Sequence, residues 1–226
     1  SPLSLLSTIA NVEKPDIVAA KILEGRVAIF TDGTPHVLTV PNILVEGVMT
    51  SEDYYLRPYY ATFLRLLRNI SLFIAIYLPG TFVALQLYHQ EMIPTILLIN
   101  MAGAREGVPL PVTLEVIIMT IALELTKESG LRLPKSIGTT VSIVGALILG
   151  QAAVQAAVVS PITIIVVSTA AIAEFIIPQM IQGIVMYRFV ILILGGFMGL
   201  YGVTCGFVLI TMEVVSLDSF GVPFAW

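Results

Sequence analysis

Five ionisable residues stand inside or between long apolar runs: Arg105, Glu106, Glu115, Glu124 and Glu174. An ionised side chain at mid-bilayer costs about 2.5–3.5 kcal/mol on insertion scales, so such groups pair with one another or face water rather than lipid. Arg105 and Glu106 fall at a helix break, where pairing with other groups is expected, and Glu115 is expected to line a hydrated cavity. Glu124 is followed within a turn by Lys127 and Glu128 and suits an interface. Glu115 and Glu124 are half a turn out of phase, so they are not bound to one site. The alternative role for all these charges is pairing that only fixes helix packing.

A second polar set is uncharged. Gln151 and Gln155 are one helical turn apart on a shared face, and Thr140 falls on the same stripe. Roughly opposite runs a seam of small residues, Ser142, Ala146, Gly150, Ala153 and Ala157. One side of this helix can dock closely, and the other offers amides and a hydroxyl. Those groups serve either interhelical hydrogen bonds or a polar pathway or subunit interface. The pore or gate candidates are therefore Thr140, Gln151 and Gln155, with Arg105, Glu106 and Glu115 near an entrance. A further small-residue seam, Gly195, Gly199, Gly202 and Gly206, steps by one helical turn each time and predicts close helix packing.

Enzyme chemistry finds no support. HExxH, GxSxG, Walker and Rossmann patterns are all missing, and His36 and His89 are far apart in sequence. No catalytic residue, cofactor-binding residue or metal ligand is assigned. Cys205 is the single cysteine, which excludes a disulfide framework within the chain. A net charge of -4 without a basic patch argues against nucleic acid.

The elements that must position these residues are membrane helices. Of 226 residues, 57% are apolar and 12% charged, with a mean hydropathy of +0.97. A soluble domain carries about 25% charged residues. The expected fold is mainly α, a polytopic membrane helical bundle with a small α+β cytoplasmic N-terminal segment containing a β-hairpin. Residues 1–68 form that segment. A short helix follows Lys14-Pro15-Asp16 and closes at Gly25, and strands 26–30 and 36–40 flank Asp32-Gly33, a hairpin signal. Thr50-Ser51-Glu52-Asp53 is expected to cap an amphipathic helix whose Tyr54, Tyr55, Arg65 and Arg68 anchor it among lipid headgroups. The N-terminus lacks the pattern of a signal peptide, and a start at Ser rather than Met reads as a piece of a longer chain.

The transmembrane part covers 69–213, with spans at about 70–88, 92–126, 136–160, 161–178 and 189–212, and a tail at 214–226. Segment 92–126 is interrupted by Arg105-Glu106-Gly107-Val108-Pro109-Leu110-Pro111, where two prolines forbid continuous helix. It is either one broken crossing or a re-entrant hairpin. With a broken crossing, the preamble, Lys127, Arg132, Lys135 and Arg188 share one side, which the positive-inside bias makes cytoplasmic. That count favours the broken crossing and places the C-terminal tail on the opposite side from the preamble.

Several ordered motifs carry a resemblance over nearly the whole chain. They include Leu23-Glu24-Gly25-Arg26-Val27-Ala28, Asp32-Gly33-Thr34-Pro35, Ser51-Glu52-Asp53-Tyr54-Tyr55 and Arg65-Leu66-Leu67-Arg68. Ala104-Arg105-Glu106-Gly107-Val108-Pro109, Leu133-Pro134 and Val141-Ser142-Ile143-Val144-Gly145-Ala146, running on to Gly150-Gln151-Ala152-Ala153-Val154, complete the set. The sequence resembles the A subunits of GerA-type spore germinant receptors, with the sporulation protein VA F subunits as relatives. The resemblance implies a multi-pass protein of the inner membrane of bacterial endospores. It implies assembly with a transporter-like B subunit, thought to bind the nutrient, and a lipoprotein C subunit. It also implies a homo-oligomeric ring of about five copies that releases cations to start germination, with membrane lipid as a further partner. Other classes consistent with the residues are a secondary transporter with a broken-helix midplane site and a non-conducting membrane scaffold.

The sequence departs from the family pattern in three places. An acidic residue is common where Gln155 and Thr120 stand, and Glu174 replaces a small or apolar residue. The family's tail is described as cytoplasmic, against the charge count.

Overall fold

The computed structural model describes residues 4–49, 53, 56–132, 145 and 148–225. Among these residues the chain is mainly helical, with a three-stranded sheet and a two-stranded ribbon. It divides into two compact units. One combines Ser1–Phe73, Glu174–Tyr187 and Phe207–Trp226, and the other combines Ile74–Ala173 and Arg188–Gly206.

In the first unit, β1 (Ala10–Val12), β2 (Val27–Phe30) and β3 (Val37–Val40) form an antiparallel sheet in the order β1-β3-β2. The β2–β3 hairpin turns through Gly33 at φ 85. Helix α1 (Pro15–Leu23) ends where Gly25 adopts φ 88, with Gly25 N–H donating to Ile22 O and Arg26 N–H to Lys21 O. That pair of bonds is a Schellman ending, which glycine suits because its backbone tolerates positive φ. On α2 (Leu44–Val48), Glu46 takes ion pairs from Lys21, at 3.1 Å, and from Arg26.

Two expectations for this region change. Helix α3 (Pro58–Tyr88) starts at Pro58, so Asp53 lies ahead of it rather than in its first turn. Proline suits the first helical position and disfavours helix in the residue before it. Arg65 and Arg68, expected to reach for headgroups, turn to Asp53 instead. Its carboxylate is buried and takes Arg68 Nη1 and Nη2 at 2.6 and 2.9 Å, with Arg65 Nε at 3.6 Å. A buried carboxylate without a cation would be far costlier than two arginines withdrawn from the interface. Tyr54 and Tyr55 lie outside the described residues, while Tyr59 and Tyr60 are exposed.

The C-terminal tail is a larger correction. β4 (Asp218–Ser219) and β5 (Val222–Pro223) pair with each other and lie on the N-terminal segment. Leu44 N–H donates to Phe224 O at 2.8 Å, Asn42 N–H to Ser219 Oγ at 3.0 Å, and Ser219 Oγ–H to Thr8 O at 2.7 Å. Segments that touch cannot stand on opposite faces of a bilayer, so the charge count misplaced the tail.

The reason lies in the second unit. Among the described residues, two helical runs are long and apolar enough to cross a membrane, Pro58–Tyr88 with 31 residues and Pro178–Ser216 with 39. The second contains α8 (Ile181–Ser216), and it is not one straight helix. At Gly199 the backbone adopts φ 63, ψ -146, a conformation open essentially only to glycine, and the chain reverses. Residues 202–206 return along 191–195. A Cβ built on Gly195 would meet Val203 at 3.3 Å, and one on Gly206 would meet Leu194 at 3.2 Å. The expected single span at 189–212 is thus two antiparallel arms, 181–198 and 200–216, each about 26 Å at 1.5 Å per residue. The four glycines do not share one stripe. Gly195 lies on the first arm against the Gly80 carbonyl of α3, Gly199 makes the turn, and Gly202 and Gly206 let the second arm close on the first. Tyr88 fastens the turn, its hydroxyl donating to Gly196 O at 3.0 Å and Phe197 O at 3.1 Å.

The segment after α3 is broken as its prolines require. A 3-10 turn (Gln90–Met92) and α4 (Thr95–Ala104) precede the break, and α5 (Val112–Arg132) follows it. Of the expected span at 136–160, residues 133–144, 146 and 147 lie outside the described residues; 148–155 are helical and are called α6. Helix α7 (Pro161–Phe175) has 15 residues, about 22 Å of rise, and ends three residues before Pro178. The core of the unit joins Phe82 and Val83 of α3, Met101 of α4, Val116 and Met119 of α5, Val167 of α7 and Leu192 of α8.

Helix α6 ends in the same motif as α1, but with the wrong residue for it. Ala157 N–H donates to Val154 O and Val158 N–H to Ala153 O, while Ala157 holds φ 51. An L-residue with a Cβ pays for that conformation by roughly 1–2 kcal/mol. Ala157→Gly is therefore expected to raise stability by about 0.5–1 kcal/mol after glycine's greater unfolded-state entropy is counted. Thermal unfolding in detergent should show a higher midpoint; a lower one would contradict the assignment of this turn.

Candidate functional site

Three sets of polar groups stand out among the described residues of the second unit. The first gathers around Glu115. The break between α4 and α5 turns through Arg105, Glu106 and Gly107, the last at φ 93. Arg105 Nη2 donates to Leu110 O at 3.1 Å and lies 3.2 Å from Glu115 Oε1. The other carboxylate oxygen of Glu115 accepts from Ser160 N–H at 3.2 Å, Ser160 Oγ–H at 3.1 Å and Thr163 Oγ1–H at 2.6 Å. Glu115, Ser160 and Thr163 are all fully buried. Ser160 caps α7, and the carboxylate sits at that helix's N-terminus, where the backbone dipole favours negative charge. One oxygen of Glu115 thus takes three hydrogen bonds within its own chain, while the other is ion-paired with Arg105 without a hydrogen bond. The carboxylate expected to line a hydrated cavity is enclosed by protein in the single chain. Glu106, the adjacent carboxylate, is exposed.

The second set centres on Arg188, which is fully buried. Its Nε–H donates to Ala75 O at 2.7 Å and its Nη2–H to Ala170 O at 3.3 Å, and Nη1 lies 3.4 Å from Glu124 Oε1. Lys127 Nζ holds the same carboxylate oxygen at 2.6 Å. Sequence reasoning read Arg188 only as a flanking charge. Its place one residue ahead of a long apolar run was the available signal, but flanking and buried arginines look alike there.

The third set is Gln151 and Gln155 on α6, both exposed. The opposite face of α6 is packed: a Cβ on Gly150 would lie 3.9 Å from Ile164 of α7, and Ala153 packs on the core. Thr140, expected on the amide stripe, lies outside the described residues, as do Ser142 and Ala146. Thr120 is buried and returns its hydroxyl to Val116 O at 2.7 Å. Glu174 is also fully buried, in the first unit.

The structure therefore brings Arg105 and Glu115 together, keeps Glu106 apart from them, and sets the two amides on a separate outward face. Among the described residues, two helices long and apolar enough to cross a membrane, with charges satisfied inside the chain, suggest a membrane-associated helical protein. Comparison with known proteins gives the family. The profile of the Bacillus/Clostridium GerA spore germination proteins matches residues 1–226. Spore germination protein KA of Bacillus subtilis (strain 168) is 46% identical over 219 residues, 96% of this chain and 40% of the relative. The uncharacterized membrane protein YfkQ of the same strain is 46% identical, over 94% of this chain and 42% of its own. Spore germination protein B1 is 40% identical over 97% of this chain and 46% of its own length. The chain belongs to the GerA family of spore germination proteins. It spans under half the length of these relatives. No solved structure matches it.

Proposed function

We propose that the chain is the membrane part of a germinant-receptor A subunit, and that several copies surround a water-filled axis through which cations leave the spore. The observation that carries this reading is the exposure of Gln151 and Gln155 on a helix whose other face is packed. Primary amides facing hydrocarbon leave donors and acceptors unsatisfied, at several kcal/mol per group in lipid. Facing a wet axis formed by neighbouring copies, they are solvated and offer carbonyl oxygens to passing cations. About five copies in a closed ring fit the family's architecture, with the B subunit and the lipoprotein C subunit as the partners that bring the nutrient signal. Binding elsewhere shifts the closed-to-open equilibrium by no more than the ligand's differential affinity for the two states.

The reversal at Gly199 supports a consistent path through the bilayer. With two arms in place of one span, the five expected crossings become six, and an even number returns the tail to the side of the preamble. A secondary transporter loses its best midplane residue, since Arg105, Ser160 and Thr163 already occupy Glu115.

Liposomes containing the full chain test the reading. The double substitution Gln151→Leu with Gln155→Leu is expected to cut cation flux by about tenfold or more, because the wet face becomes apolar. Unchanged flux in a normally assembled variant would remove the amides from the pathway. No flux from the parent with its partners and nutrient present would leave a scaffold.

A further inference from the structure

We infer that the Arg105–Glu115 pair is a positioning linkage that sets where the Gln151–Gln155 face stands, carrying movement of the break between α4 and α5 to the end of α6. The linkage rests on the channel reading only for what the movement accomplishes; its geometry stands separately.

The outer side of the break is open. Glu106, Gly107, Pro109 and Pro111 are exposed, and a Cβ on Gly107 would meet nothing within 4 Å. The inner side is closed by Arg105, which bonds to Leu110 O within the loop and pairs with Glu115. Glu115 in turn holds Ser160 through both its backbone N–H and its hydroxyl.

Between Ser160 and Gln155 there is no slack. Ala156 N–H donates to Ala152 O at 2.9 Å, Ala157 N–H to Val154 O at 3.0 Å, and the N–H groups of Val158 and Val159 both to Ala153 O. With Ser160 N–H on Glu115, every backbone donor from 156 to 160 is bonded. A stretch tied at each residue transmits displacement rather than absorbing it. Packed elements of this kind move by discrete shifts rather than by continuous bending. The chain of contacts therefore runs from an exposed loop, through one buried ion pair, to the amide-bearing helix.

The two roles of Glu115 also separate by variant. Arg105→Gln keeps the three bonds from Ser160 and Thr163 but removes the tie to the break. Thr163→Val keeps the ion pair but loosens the grip on α7. A carboxylate that only plugged a hole in the packing would be indifferent to which tie was cut.

Electron spin resonance on the full chain in bilayers tests the linkage. In a Cys205→Ser background, spin labels on Gln155→Cys and Ile193→Cys report the position of the end of α6. Labels on Leu87→Cys and Ile193→Cys serve as the control pair. Arg105→Gln is expected to shift the 155–193 distance by about 2 Å or to broaden it visibly, the size of a helix shift. Arg105→Lys should restore it, Thr163→Val should displace it less, and the control pair should stay put. An unmoved 155–193 distance in Arg105→Gln overturns the linkage, and so does an equal change in the control pair. If Arg105→Gln does not assemble, the smaller effect of Thr163→Val decides by the same criteria. Collision of the label at 155 with a water-soluble relaxing agent reads a different property. A dry label there sinks the wet axis but leaves the linkage to the distances.

Discussion

Gly202→Ala is expected to destabilise the folded protein severely, although by sequence it is a mild change within an apolar helix. A Cβ at this position would land on the Leu194 carbonyl, with the carbonyl carbon at 2.7 Å and Met198 Cβ at 2.9 Å. The obstacle is backbone, so no side chain can swing away, and the two arms of α8 must separate. Overpacking costs typically 1–3 kcal/mol where side chains can adjust. Here it should exceed about 4 kcal/mol, the level reached only through a specific structural fault. Gly103 supplies the comparison, because it too is helical but a Cβ there meets nothing within 4 Å. The yield of monodisperse protein extracted in mild detergent should fall several-fold for Gly202→Ala and stay at the parent level for Gly103→Ala. Equal yields would mean that the chain does not reverse at Gly199.

Glu115→Ala carries the second large effect. It strips the counter-charge from Arg105 and leaves the Ser160 and Thr163 donors without their acceptor in a fully buried site. Breaking a buried ion pair from one side costs about 3–5 kcal/mol. Glu115→Gln keeps an acceptor oxygen for Ser160 and Thr163, so its cost should be smaller, about 1–3 kcal/mol for the unpaired charged donor. The neighbouring acid gives the contrast: Glu106 is exposed, and Glu106→Ala should stay within about 0.5 kcal/mol. Unfolding in a denaturing detergent titration ranks the three. A Glu115→Ala protein as stable as Glu106→Ala would show that the buried network contributes nothing.

What could be read from the sequence was local. Asp32-Gly33 between two β-branched runs makes a hairpin, Gly25 after a short helix makes its cap, and Pro109 with Pro111 breaks a helix. Each signal is a backbone constraint that neighbours cannot override. What escaped was tertiary. Glycines stepping by 4, 3 and 4 fit one stripe of a straight helix as well as the inner seam of a hairpin, and only the φ of Gly199 separates the two. That single reversal inverted the inferred side of everything after it, which is why the tail was misplaced. β1 is three residues, Ala-Asn-Val, and exists because β3 offers it an edge. Arg65 and Arg68 read as headgroup anchors because the carboxylate that holds them is 12 and 15 residues away, beyond any helical spacing.

In the candidate site, residue types were legible and their partners were not. Apolar context marked Arg105 and Glu115 as groups unable to face lipid, but Ser160 and Thr163, 45 and 48 residues further on, complete the network. Ser and Thr at the start of an apolar helix are too common to signal a buried carboxylate. That Gln151 and Gln155 share an outward face could be read from helical spacing, because the small residues that pack α6 define that face by exclusion.

The central claim is that the Gln151–Gln155 face of several copies lines a shared aqueous axis. Electron microscopy of the full chain in lipid nanodiscs tests it most directly. The expected image is a closed ring of about five copies with Gln155 of every copy turned to the centre. A monomer or dimer, or a ring in which Gln155 points into lipid, would contradict it.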